Sequence, residues 1–252
     1  MAVKVYFIGA GPGDPELLTI RAKNTIERAD VIIYADSLIN PEVCSSTREG
    51  TEIYPSASLS LEEITGIILD AVKQGKVVAR LQSGDPSIYG AIQEQMAVLD
   101  EKGIEYEIIP GVSSLFAAVA TLKTELTIPE LSQTVIITRM EGRTPVPALE
   151  SLKRLAQHQS TMAIFLSVSL ISEVVSALLE GGYSADTPVA VVYRASWKDE
   201  VVLRASLKSL VERVQASGIR KQALILVGGF LNSRKKPFRS KLYDRDFKHE
   251  YR

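Results

Sequence analysis

Short apolar runs alternate with stretches of three- and four-residue apolar spacing along almost the whole chain. The runs cover residues 3–8, 31–34, 77–81, 105–109, 134–138, 162–166, 189–193, 201–205 and 223–227. Their length and β-branched content fit buried strands. Leu61, Ile64, Ile68 and Val72 form one helical stripe, opened by the capping box Ser60–Glu63 and stopped at Gly75. Residues 17–29 and 115–122 read as further helices. Such alternation predicts an α/β protein, with mixed, mainly parallel sheets. The polar segment 124–133, which holds Pro129, separates two halves, 1–122 and 123–232. The basic, aperiodic tail 233–252 reads as a solvated terminus.

Composition removes several function classes. At 252 residues, nearly half of them apolar, the chain can build one large core or two small ones. A net charge of -1 argues against nucleic acid as the main partner. The single Cys44 excludes an internal disulfide framework and fits a reducing cytoplasm. His158 and His249 stand far apart, so no zinc motif forms and no metal is expected. The opening apolar run is too short for a signal peptide, and no run approaches the ~20 residues of a membrane helix.

Chemistry gathers in the turns. Gly9-Ala10-Gly11-Pro12-Gly13-Asp14 joins the first strand to the first helix, a placement typical of nucleotide sites. The dinucleotide fingerprint requires glycine where Asp14 stands. Pro12 lacks an amide donor and Asp14 repels phosphate, so the turn fits a nucleoside ligand without phosphates. Ser83-Gly84-Asp85-Pro86 follows another strand. Asp85 there reads both as the N-cap of a helix with Pro86 at its first position and as an acceptor for a ribose or amine. Ile88 and Tyr89 stand ready to wall an adenine. Pro110-Gly111-Val112-Ser113-Ser114 places two hydroxyls at the same sheet edge. In the second half, Arg139 and Arg143 flank the glycine turn after the strand at 134–138, and Arg194 and Trp197 follow the strand at 189–193. Paired arginines suit carboxylates. No Ser-His-Asp set and no P-loop lysine can be assembled.

These motifs resemble the tetrapyrrole methylases, over residues 3 to about 228. Residues 5–15, Gly84-Asp85-Pro86 and Pro110-Gly111-Val112 carry the general likeness. Tyr34-Ala35-Asp36-Ser37-Leu38 and Glu141-Gly142-Arg143-Thr144-Pro145 select the branch that methylates carbon 11 of precorrin-4 or cobalt-precorrin-4. The resemblance implies two α/β domains with S-adenosylmethionine in the crevice between them, and a homodimer. It assigns the methyl donor to Pro12, Ser83, Gly84, Asp85, Ile88, Ser113, Ser114, Leu166, Ala195, Ala223 and Leu224. Arg139, Arg143 and Arg194 are then the binders of substrate carboxylates, with Lys198 behind them. Asp36 is the candidate catalytic residue, displaced by one position from the aspartate of the uroporphyrinogen methylating relatives. Their Gly-Lys-Arg is absent too, since this chain reads Tyr54-Pro55-Ser56-Ala57. A methylase of protein or RNA, and a carrier or sensor without catalysis, stay open at this point.

Overall fold

The computed structural model describes residues 4–235, 240 and 247. They divide into two compact units. One comprises the residues up to Ala117 together with Ala195–Asp199; the other comprises Ala118–Arg194 and the residues from Glu200 onward. The tail at 233–252 lies largely outside the described residues, as does His249.

The first unit is built on five parallel strands, β1 (Val5–Gly9), β2 (Val31–Tyr34), β3 (Glu52–Pro55), β4 (Val78–Gln82) and β5 (Tyr106–Ile109), in the order β3-β2-β4-β1-β5. Every residue of β1 and β4 is buried, as expected of a sheet covered on both faces. One face carries Tyr6, Ile8, Ile32, Ala79 and Leu81 against α1 (Ile20–Arg28). The other carries Val5, Phe7, Ile33 and Val78 against α2 (Leu61–Lys73) and α3 (Gln93–Glu101). The capping box of α2 forms as expected: Glu63 N donates to Ser60 Oγ (3.2 Å), and Ser60 N donates to Glu63 Oε2 (2.7 Å).

α4 (Ser114–Leu122) carries the chain out of the first unit, and the division falls inside this helix. The second unit holds β6 (Val135–Arg139), β7 (Thr161–Phe165), β8 (Pro188–Tyr193), β9 (Val201–Ser206) and β10 (Ala223–Val227), in the order β6-β7-β10-β8-β9. Only β6 and β7 run parallel here; the β7–β10, β10–β8 and β8–β9 pairs are antiparallel. The core of this unit lies between the sheet and α5 (Leu152–Ala156), α6 (Ile171–Glu180) and α7 (Leu207–Ser217).

All nine apolar runs became strands. β3 is the one that periodicity missed: four residues at a sheet edge, half exposed, and opening on a glutamate.

Candidate functional site

Because β1 to β5 are parallel, their carboxyl ends share one edge, and the loops after β1, β2, β4 and β5 open there. The chain leaves β1 for β2 on one side and leaves β4 for β5 on the other. The neighbours β1 and β4 are thus the point where the topology diverges. Their loops are joined by backbone: Ala10 N donates to Gln82 O (2.8 Å), Gly84 N to Gly11 O (2.8 Å) and Gly11 N to Gly84 O (3.2 Å). A Cβ on Gly9 would stand 2.5 Å from Gly111 Cα, and one on Gly111 would stand 2.2 Å from Gly84 O. Three loops therefore meet backbone to backbone, at a spacing only glycine permits. This edge brings together Pro12, Ser83, Gly84, Asp85, Ile88, Ser113 and Ser114. Ser113 is buried, and its Oγ accepts from Leu115 N (3.3 Å) in the first turn of α4.

The glycine-rich loop is held from a distant part of the sequence. Trp197 Nε1 donates to Pro12 O (2.9 Å), Asp14 N donates to Ser196 Oγ (3.0 Å), and Asn40 Nδ2 donates to Gly13 O (2.9 Å). A Cβ on Gly13 would lie 2.1 Å from the Trp197 indole. The third glycine of the motif makes room for an aromatic ring rather than for a phosphate. Ala195, buried beside Ser196, belongs to the same unit. Lys198 is exposed and paired with Glu42 (2.6 Å).

Asp85 corrects one expectation. No helix starts at Pro86; α3 begins only at Gln93. The Asp85 carboxylate instead accepts from Ser87 N (2.9 Å) and Ser87 Oγ through Oδ1, and from Gly111 N (2.8 Å) through Oδ2. Burial raises its pKa, but the bonds from Ser87 and Gly111 outweigh burial and hold the carboxyl below its ordinary value. Asp85 thus fixes one loop to another. Just beyond it, Tyr89 and Ala91 sit at φ of 56° and 48°, a region non-glycine residues seldom occupy. Asp36 is exposed and accepts from Ala57 N (2.9 Å) through Oδ1, joining the loops after β2 and β3.

In the second unit the arginines separate. Arg139 donates through Nη1 to Thr144 O (3.2 Å) and Met140 O (3.4 Å), and through Nη2 to Pro145 O (2.7 Å). These bonds close its own loop. Arg143 is exposed on that loop and makes no hydrogen bond to the described residues. Arg194 is also engaged. Its Nε donates to Gln222 Oε1 (2.8 Å), and its guanidinium lies 5.2 Å from the centre of the Tyr193 ring. Leu166 is 64% exposed at φ 54°, an uncommon state for a leucine. The register Ile225↔Ile164 puts Leu224 and Ala223 beyond the last β7–β10 rung, level with Phe165 and Leu166. Those three candidates share one end of the second sheet.

Sequence reasoning missed Trp197 as a partner of Gly13, and also Arg80 and Gln82. The last two carried a signal: two polar residues at alternate positions in an otherwise apolar buried strand. Among the described residues no group of three or more His, Cys, Asp or Glu could hold a metal ion, and no helix is long and apolar enough to cross a membrane.

Comparison with known proteins agrees with this geometry. Residues 4–211 match the model of the Tetrapyrrole (Corrin/Porphyrin) Methylases. The cobalt-precorrin-4 C(11)-methyltransferase of Methanocaldococcus jannaschii is 61% identical over 249 residues, covering 99% of this chain and 96% of that protein. The X-ray structure of a cobalt precorrin-4 methyltransferase of cobalamin biosynthesis superposes with a TM-score of 0.88 at 49% identity, covering 90% of this chain and 95% of that one. The uroporphyrin-III C-methyl transferase of Thermus thermophilus, complexed with S-adenyl homocysteine, superposes with a TM-score of 0.76 at 28% identity, covering 91% and 99%.

Proposed function

We propose, from the premise that this chain belongs to the tetrapyrrole methylase family, that it is an S-adenosylmethionine-dependent methyltransferase acting on carbon 11 of cobalt-precorrin-4 in cobalamin biosynthesis. The observation that carries this reading is the 61% identity, across 99% of the chain, to a protein named for that reaction. The metal-free precorrin-4 is the second acceptor to test, because the residues select the ring position and not the metal.

The loop chemistry fits the donor. Pro12 withholds an amide, Gly13 is filled by Trp197, and Asp14 places a carboxylate at the helix start, so nothing here is built for phosphate. The close packing of Gly9, Gly84 and Gly111 sets the loops after β1, β4 and β5 in fixed positions around a small ligand without phosphates. The donor supplies an activated methyl: a carbon–carbon bond forms at carbon 11 as the sulfur–methyl bond breaks, and the electron pair stays on the sulfur of S-adenosylhomocysteine, which leaves. The protein's contribution is then mainly alignment, with reacting atoms about 3–3.5 Å apart. Pro12, Ser83, Gly84, Asp85, Ile88, Ser113, Ser114 and Ala195 are the donor-binding residues of the first unit. Leu166, Ala223 and Leu224 of the second rest on the resemblance, supported by their shared position. Arg143 is the binder of substrate carboxylates. Asp36, with Oδ1 engaged by Ala57, keeps its second oxygen for the proton released from the macrocycle. A cytoplasmic homodimer completes the reading, and light scattering tests its size.

The deciding experiment is anaerobic incubation with S-adenosylmethionine and the precursor, with and without cobalt, read by mass for the gain of one methyl. S-adenosylhomocysteine should raise the melting temperature and NAD should not. A larger shift with NAD, or no methyl gain on either precursor, would overturn the proposal.

A further inference from the structure

Arg80 and Gln82 stand two positions apart on β4, so both side chains lie on the sheet face covered by α2 and α3. Each retains 5% of its exposure. The guanidinium donates through Nε to Gln95 Oε1 (3.1 Å), and through Nη1 to Ser56 Oγ (2.9 Å) and Ile33 O (3.4 Å). All three acceptors are neutral. No carboxylate faces it from β1, β2, α2 or α3, and burial alone pushes its pKa down, to about 10, so it stays cationic at neutral pH. Its Nη2 meets no acceptor among the described residues. Gln82 Nε2 is buried and has no hydrogen-bond partner among the described residues. Gln95 and Ser56 cannot relieve the excess of donors, since Gln95 Nε2 donates to Ala91 O (3.0 Å) and Ser56 Oγ to Tyr34 O (3.0 Å).

An unpaired amide donor and an uncompensated cation are expensive to bury. The opposite face of the same strand shows that β4 does not need them, for it presents only Ala79 and Leu81. The cluster lies at the carboxyl edge. Gln82 is the register partner of Gly9, and Ser56 adjoins Ala57, the partner of Asp36. A group that accepts without donating, carries one negative charge and offers two oxygens would satisfy both Nη2 and Nε2.

We propose that Arg80 and Gln82 form an anchor for one peripheral carboxylate of the tetrapyrrole. The assignment rests on the methyltransferase reading for the identity of that ligand. Arg80 supplies the charge and Gln82 the second donor, while Ser56 and Gln95 fix the guanidinium plane.

The test uses the full chain with Gln82→Leu and Gln82→Glu, and Arg80→Lys as a variant that retains charge. Affinity for cobalt-precorrin-4 is titrated anaerobically by absorbance, and affinity for S-adenosylhomocysteine by calorimetry. Gln82→Leu should weaken tetrapyrrole binding about tenfold or more, the loss of one bond to a charged group. Gln82→Glu should weaken it further, and Arg80→Lys should match Gln82→Leu. S-adenosylhomocysteine affinity should move less than about twofold in all three, within the ordinary independence of separate sites. Unchanged tetrapyrrole affinity in Gln82→Leu, with a higher melting temperature, would make Gln82 a mere unmatched core amide and overturn the anchor while leaving the methyltransferase intact. Loss of tetrapyrrole binding in the variants of a wild-type protein that transfers no methyl would leave the anchor and overturn the methyltransferase.

Discussion

Gly13 and Trp197 occupy one another's space: the indole stands where a Cβ of residue 13 would be, 2.1 Å away, while its Nε1 holds the carbonyl of Pro12 at 2.9 Å. A ring from late in the chain thereby shapes a loop at its beginning. Ser196 and Asn40 hold the next two residues of the loop.

Trp197→Phe keeps the ring and loses one hydrogen bond, at a cost of about 1 kcal/mol. Trp197→Ala should lower S-adenosylhomocysteine affinity roughly tenfold, about 1.4 kcal/mol, by freeing Pro12. Gly13→Ala alone should be worse than Gly13→Ala combined with Trp197→Ala, since the second change removes the clash. Calorimetry on the four proteins of this cycle reads the coupling; simple additivity would mean the two residues do not act as a pair.

Asp85→Ala should lose both donor affinity and melting temperature, because the carboxylate binds Gly111 N and Ser87 rather than standing free. A charge-assisted bond lost here is worth roughly 1.5–3 kcal/mol. The pH dependence follows from the lowered pKa. A carboxyl depressed in the folded state contributes in full above its ordinary value of about 3.9, and the contribution is lost as pH falls through the lower folded value. Stability relative to Asp85→Asn should therefore be constant from neutral pH to about pH 5 and should shrink below about pH 4. A gap that is the same at all pH values would show that the charge at Asp85 is irrelevant.

Gly111→Ala should be among the most damaging single changes in the first unit. The new methyl would meet Gly84 O at 2.2 Å and Gly9 Cα at 2.7 Å, both backbone, so no side chain can yield. Overpacking of this kind costs about 1–3 kcal/mol or more. Denaturant titration should show that loss, with donor binding abolished. Gly66→Ala is the control for space, since a Cβ there meets nothing within 4 Å.

Arg143→Ala and Arg139→Ala should differ in kind. Arg143 is exposed and unbonded to the described residues, so its removal should raise the Michaelis constant for the tetrapyrrole and spare donor affinity and stability. Arg143→Lys should recover part of the activity, because lysine keeps the charge but not the bidentate contact. Arg139 holds three carbonyls of its own loop, so Arg139→Ala should loosen residues 140–145 and increase proteolysis there. Equal effects of the two alanines on turnover would mean that the loop acts as a single shape.

The sequence by itself determined the α/β class, nine of the ten strands among the described residues and the capping box of α2. Each is a matter of local periodicity or of residue chemistry within a few positions, which the chain carries on its face. β3 escaped because a four-residue edge strand has neither the length nor the burial to impose a pattern. Only the tertiary structure decided that Gly13 faces Trp197, that Asp85 binds Gly111 instead of capping a helix, that Arg139 is spent on its own loop, and that Ala195–Asp199 belongs with the first unit. These are contacts between residues up to 185 positions apart, and a backbone donor or an exposed carboxylate gives no sign in sequence of which distant partner it will meet. The same holds for Arg80 and Gln82. Their spacing on an apolar strand was visible, but that nothing neutralises the one or accepts from the other is a property of the folded interior.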